Sequence, residues 1–588
     1  MEAGLYVHLA YHSACLCITT LRNSLHYARD ADRLNLGLEI ERYRLQVWGE
    51  NMGLKPANEN SAPKLPPRLD LISDILARQL DGIAALLRDA DVLRERYGLV
   101  VTENKATGSE RVRALLERMQ RCIPRLEGHD GGGDGVGLET RRLARTTSAP
   151  LRLRWAVRDV EKFQKLLDDL SSRISQLNQL LTETQQRETE REWERFLIRL
   201  VDSVHDKQTL DLVLQTAPPT SSTRFRAECK AISADVPWSS APSTPIQQIS
   251  ISEFILPDAY DSMKRFVAGK REPEGSWLFE RKDFDRDIGQ DDKRRLVGRL
   301  QLLVLMLAKK KTAAFRTPLA EGCINDGSHF CWWMVYRLST SQLVPPPEPK
   351  PLSLLHLLQP KTKFQPALEL RYKLASRLCT TLFELYSSSW LHKGVRSANV
   401  LFTVSSLTQM SRVLESMVLC GFDYSRQESE QSTIDRARLV ADVETALYRH
   451  PRYQGDAAEG YKLAYDIYSL GLVLVEIALW KPLSSFLEGK PIGKSSASAS
   501  QLAPNMTIFH EAEATMLKKR VMNRVESEFR FRVGSAYYQA TKYCLELADR
   551  ETAAEGDVFA AHPSLEFYDA VVVPLASLAD SQGVKGVD

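Results

Sequence analysis

Through most of the first 217 positions apolar residues recur at three- and four-residue steps, the spacing of helices with one buried face. Leu34, Leu36, Leu38, Ile40, Tyr43, Leu45 and Val47 supply the apolar side chains of a helix over 30–51, which Gly53 and the loop from Pro56 to Pro67 end. A further helix begins after Pro67, with Ile72, Ile75, Leu76, Leu80, Ile83, Leu87 and Ala90 in register and Gly98 near its end. A short helix follows over 112–119. One long helix is expected over 151–181, carrying Trp155, Phe163, Leu167, Leu170, Ile174 and Leu177, and another over 190–214. Their junction, 183–195, is dense in charge and reads as solvated. Gly128–Gly137 has the composition of a loop. With almost no strand signal, four to six helices in an antiparallel bundle are expected.

The pattern changes after Thr216. Pro218, Pro219, Pro237, Pro242 and Pro245 lie among many Ser and Thr, which predicts an extended connector over 216–248. Beyond it Trp277–Lys282 is an apolar run turning charged, and a helix is expected over 292–308. His329–Leu338 reads as a strand rich in aromatic residues. Pro345–Pro351 makes a crossing to a second, more helical part that opens with a long helix over 367–389.

The first helix changes the picture further. Ala3 to Leu21 contains no Asp, Glu, Lys or Arg. It is long enough to span a bilayer, but several His, Tyr, Ser and Thr residues dilute it. Two readings stand: a buried helix of the bundle, or a helix packed at rest that enters a membrane when released. At 588 residues, two to four domains are expected. Net charge is +3 with both signs mixed, which gives no reason to expect nucleic acid. The nine cysteines form no CxxC pair, so buried thiols in a reducing compartment are expected, with no disulfide frame, zinc site or other metal site. No secretory signal is read at the start.

The chemistry-bearing stretch is Trp390–Phe402, WLHKGVRSANVLF. It resembles the catalytic loop of protein kinases, in which His-Arg-Asp is followed five residues later by Asn. Here the triplet is His392-Lys393-Gly394, with Asn399 in the Asn position. Glycine cannot accept a proton. Gly421-Phe422-Asp423 stands where that family has Asp-Phe-Gly, so the metal-binding carboxylate is replaced as well. Between Ile251 and Ser276 only Gly269 and Gly275 occur, so the phosphate-cradling glycine pattern is absent. Lys282 is the candidate phosphate-pairing lysine, yet 293–309 offers no glutamate to pair with it. Tyr448-Arg449-His450-Pro451 stands where the family closes its activation segment. Tyr465–Gly471 with the apolar run after it resembles a buried kinase helix, whose acidic residue, here Asp466, would hold the catalytic loop in shape. The resemblance covers about 252–575.

The N-terminal half has its own resemblance. LEIERYRLQVWGENMGL, with Trp48-Gly49-Glu50, looks like the start of the fungal HeLo domain, a helical bundle of cell-death and prion-linked proteins. It covers roughly the first 215 residues and implies an N-terminal helix that disrupts membranes once exposed.

The expected architecture is multidomain: an all-α bundle over 1–215, a Pro/Ser/Thr-rich linker over 216–248, and a two-lobed α+β protein-kinase-like fold over 249–580, its smaller lobe 249–343 and its larger 344–580. The expected role is fungal signalling of the regulated cell-death type, with a degenerate pseudokinase part regulating the bundle. The alternatives are an atypical ATP-binding Ser/Thr kinase and a non-catalytic scaffold. No catalytic residue is expected from the degenerate loop, and no cofactor; for the kinase alternative, ATP and magnesium would meet Lys282 and Asn399. Expected partners are proteins at the kinase-like part, and self-assembly or membrane contact at the bundle. The expected location is cytoplasmic, membrane-associated on activation.

Overall fold

The computed structural model describes residues 2–26, 32–54, 71–102, 110–122, 154–204, 206–218, 221–234, 249–270, 275–284, 286–308, 312–338, 352–403, 410–427, 443–454, 460–487, 509–550 and 563–581. The chain divides into two compact units, Met1–Glu228 and Cys229–Asp588. Gly128–Gly137, Pro56–Pro67, Pro345–Pro351 and the latter part of the expected connector lie outside the described residues.

In the first unit the described elements run α1 (Glu2–Ser24), β1 (Leu25–His26), α2 (Asp32–Asn51), α3 (Ser73–Arg88), α4 (Ala90–Glu95), β2 (Leu99–Val101), α5 (Glu110–Cys122), β3 (Trp155–Val157), α6 (Val160–Gln179), α7 (Glu183–Asp202), α8 (Lys207–Thr216) and α9 (Ser222–Ala234). Eight helices are described within the first 217 residues, where four to six were expected, and the differences have local causes; α9 runs across the boundary between the two units. The single helix expected over 151–181 starts only at Val160, because the Asp159 side chain accepts from the Lys162 amide and caps the first turn. Trp155 instead enters a three-stranded sheet of order β1-β3-β2. The charge-dense junction at 183–195 is helix. Thr182 and Gln185 form a reciprocal capping box ahead of it. The helix expected over 190–214 is broken by Asp206, which caps α8. The expected extended connector contains α9, where buried Arg226 pairs with Glu194 at 2.7 Å.

One apolar core joins α1, α2, α3 and α6 through residues such as Ile18, Leu38, Trp48, Leu80, Ile83, Phe163 and Leu170. At Gly49 a Cβ would lie 2.3 Å from the Tyr11 ring, so glycine in the Trp48-Gly49-Glu50 stretch lets α1 approach α2. No helix among the described residues is long and apolar enough to cross a membrane.

The second unit begins with a five-stranded antiparallel sheet. Its strands are β4 (Phe254–Ile255), β5 (Arg265–Lys270), β6 (Gly275–Asp283), β7 (Leu319–Asp326) and β8 (Cys331–Leu338), in the order β4-β5-β6-β8-β7, and α10 (Gln290–Ala308) packs on β7. Strand alternation separates two faces. Phe266, Trp277, Phe279 and Trp333 form an aromatic core on one. Glu280 and Lys282, both buried, point to the other.

The remainder is mostly helical. β9 (Leu352–Ser353) leads into α11 (Leu354–Leu357) and α12 (Leu368–Tyr386), and β10 (Trp390–Leu391) opens the 392–399 loop. β11 (Val400–Phe402), α13 (Met410–Glu415), β12 (Met417–Leu419), β13 (Arg426–Gln427) and α14 (Val443–Ala446) follow, then α15 (Leu463–Leu479), α16 (Glu511–Arg550, broken by a kink at Gly534, φ +74°), α17 (Pro563–Phe567) and α18 (Val573–Ser581). α15 is buried on every side, its residues from Leu463 to Ala478 all out of solvent, and Asp466, Ser469 and Glu476 are the polar members of an otherwise mostly apolar run. At Gly471 a Cβ would meet the Cys544 Cβ at 2.9 Å, so this glycine seats α16 against it.

Candidate functional site

The loop that follows β10 is held from below by α15. Both oxygens of the Asp466 carboxylate are used: Oδ2 accepts from the His392 amide at 2.6 Å and Oδ1 from the Lys393 amide at 2.8 Å. The Tyr461 hydroxyl donates to Oδ1 as well. Burial pushes the Asp466 carboxyl up to about 6, against the pull of these three donors. His392 lies fully buried, its ring 4.6 Å from that of Phe422. Burial holds its imidazole down to about 3, so it is neutral. Its Nδ1 accepts from the Gly394 amide, which shapes the turn. Glu476, also on α15, accepts from Tyr448 and from the Leu483 amide, and burial pushes it up to about 7.

Asp466→Ala is expected to leave two buried amides without acceptors. At roughly 1–3 kcal/mol for each unmet group, partly offset by removing a buried carboxylate, the net loss is about 2 kcal/mol. Urea unfolding of the variant checks this.

Asn399 ends the loop in the middle of the unit, and its side chain is fully engaged. Nδ2 donates to the Gly394 carbonyl at 2.7 Å, and Oδ1 accepts from Arg265 at 2.8 Å. Arg265 comes from β5. Its guanidinium also donates to the Ala398 carbonyl at 2.9 Å and, through Nε, to Glu280 at 2.7 Å. Glu280, directly across from Arg265 in the β5–β6 register, accepts the Gly421 amide on both oxygens at 2.9 and 3.0 Å. One ion pair thus joins the sheet to both loops, 397–399 and 421–423. Three oxygens surround one cationic centre, and that centre is a side chain of the chain itself.

The two glycines of the site are fixed by space. A Cβ at Gly421 would lie 2.1 Å from Asn399 Nδ2, and the backbone there has φ +86°. A Cβ at Gly394 would lie 3.0 Å from the Gly421 carbonyl oxygen and 3.3 Å from Asn399 Nδ2. Lys282 reaches the same place from β6, its Nζ 4.2 Å from the centre of the Tyr424 ring. Asp423 is half-buried, and burial pushes its carboxyl up to about 6, opposed by the charges of Lys282, Arg396 and Arg265.

The folded chain therefore holds the Asp423 proton more tightly than the unfolded chain, and stability falls as pH rises from about 4 to about 6. Asp423→Asn removes this dependence. Its stability relative to the parent should rise by about 3 kcal/mol across that interval and level off by neutral pH. Thermal unfolding of both proteins from acid to neutral pH checks it.

The structure brings together Lys282, Gly394, Asn399, Gly421 and Asp423, with His392, Lys393, Phe422 and Asp466 beside and beneath them. Arg265 and Glu280 are members of this candidate site that sequence reasoning missed. Their signal was period two: Glu280 and Lys282 share a strand face, and an arginine on the preceding strand can face the first of them.

Comparison with known proteins bears on the N-terminal unit. Residues 7–213 match the HeLo family, described as prion-inhibition and propagation. The helical core that holds Trp48 and Tyr11 lies inside that span. Heterokaryon incompatibility protein S of Podospora anserina is similar to this chain, 22% identical over 175 residues. The similarity covers 28% of this chain and 53% of that protein, so the chain spans about half the length of the curated relative it matches. The HeLo resemblance read from Trp48-Gly49-Glu50 stands for this part of the chain.

Proposed function

We propose that this protein is a fungal signalling protein of the cell-death or incompatibility type, in which a catalytically silent kinase-like part controls the HeLo unit. The similarity of residues 7–213 to HeLo proteins, and to a relative named for heterokaryon incompatibility, supports the effector half. The regulatory half rests on one observation: Arg265, paired with Glu280, occupies Asn399 and Gly421 from within. A nucleotide–metal pair would need those groups, and phosphoryl transfer depends mainly on placement and charge at that point. The kinase-like part then works by shape, through protein partners, and the bundle acts by self-assembly or membrane contact when released from a cytoplasmic resting state. ATP and magnesium play no part in this reading.

Two experiments test it. Ligand binding raises stability by mass action, so a thermal-shift titration of the full chain with ATP and magnesium should give no shift. A saturable shift would favour the atypical kinase. Residues 1–228, a compact unit by themselves, should release dye from anionic liposomes while the full chain does not. If the fragment releases none, the scaffold reading replaces the effector.

A further inference from the structure

α1, free of Asp, Glu, Lys and Arg from Ala3 to Leu21, carries two imidazoles one turn apart. His8 and His12 are in contact, with ring centroids 4.3 Å apart and planes crossed at 70°. Their i, i+4 spacing puts them on one helix face, and both are half-buried. His8 Nδ1 is buried without a hydrogen-bond partner. With no partner facing it, the Nδ1 atom of His8 is open to serve as a lone-pair donor to a metal ion. A buried nitrogen without a partner is also costly, and an apolar side chain would fill the same space without that cost.

We propose that His8 and His12 form a two-imidazole site for a borderline divalent transition metal, of the Zn2+, Cu2+ or Ni2+ class. Imidazole is the donor these ions accept readily, whereas Mg2+ and Ca2+ require oxygen. Metal–nitrogen bonds of about 2.0–2.1 Å set the two ring centres about 5 Å apart, so the pair opens only slightly by turning its soft ring torsions. No group of three or more His, Cys, Asp or Glu side chains among the described residues forms a metal cage. Water would complete the coordination of the ion in a two-imidazole site. Bound metal would staple the second turn of α1 to the third.

The test uses the full chain, stripped of metal with EDTA and titrated with Zn2+ by calorimetry and with Cu2+ by electron paramagnetic resonance. The wild type should bind saturably, and its Cu2+ spectrum should show coupling to two imidazole nitrogens. His8→Gln and His12→Gln should each weaken binding at least about tenfold with the far-ultraviolet circular dichroism unchanged. If both variants keep wild-type affinity, the ion sits on thiols and the proposal fails. It fails equally if the wild type shows no saturable binding, or a Cu2+ spectrum without two nitrogen ligands, and these outcomes need no variant to fold.

Discussion

Gly421→Asp, which would rebuild the metal-binding carboxylate read as missing from the sequence, is expected to destabilise the second unit and restore no chemistry. Two terms add. The backbone at Gly421 has φ +86°, a conformation that side-chain-bearing residues adopt at roughly 1–3 kcal/mol of strain. The new Cβ would also overlap Asn399, 2.1 Å from its Nδ2. Asn399 cannot move away freely, because it bonds the Gly394 carbonyl on one side and Arg265 on the other. Overpacking of this kind costs about 1–3 kcal/mol more. The expected loss is roughly 4 kcal/mol, read as a lower urea midpoint for the second unit. A variant within about 1 kcal/mol of the parent would mean that the loop has another arrangement available. Glycine at position 421 is thus part of how the loops pack.

Arg265→Ala is the second large effect. It leaves Glu280, almost fully buried, without its cationic partner. Breaking a buried pair by removing one member costs about 3–5 kcal/mol, since the remaining charge stays out of water. It also frees the carbonyl of Ala398 and the amide oxygen of Asn399. Replacing both members behaves differently. Arg265→Met with Glu280→Gln keeps the volume, keeps an acceptor for the Gly421 amide and removes both charges. The double variant should recover more than half of the loss. If the double and single variants are equally unstable, the ion pair is not what joins the sheet to the loops.

These effects show what was legible in the sequence. The loop frame could be read because its parts are local: His392, Gly394 and Asn399 lie within eight residues. Asp466 is distant, but it opens an apolar run that only a buried helix explains. The Arg265–Glu280 pair was not legible in the same way. It depends on the β5–β6 register, and the side chains gain meaning only when Asn399, more than a hundred residues later, comes within reach. Within the N-terminal unit the apolar periodicity located the helical faces, but not their ends. Asp159, Thr182 and Asp206 set those ends through single side-chain-to-amide bonds, which periodicity does not register. Trp155 misled for a related reason. A three-residue strand is too short to show alternation, and a tryptophan next to a helical stripe reads as part of it.

The central claim is that the chain's own guanidinium fills the place where phosphoryl-transfer chemistry would need a metal. A phosphate-transfer assay on the full chain, with labelled ATP, magnesium or manganese and a general protein substrate, tests it most directly. The account predicts no transfer above a protein-free control. Transfer that is lost in both Asn399→Ala and Lys282→Ala would contradict it.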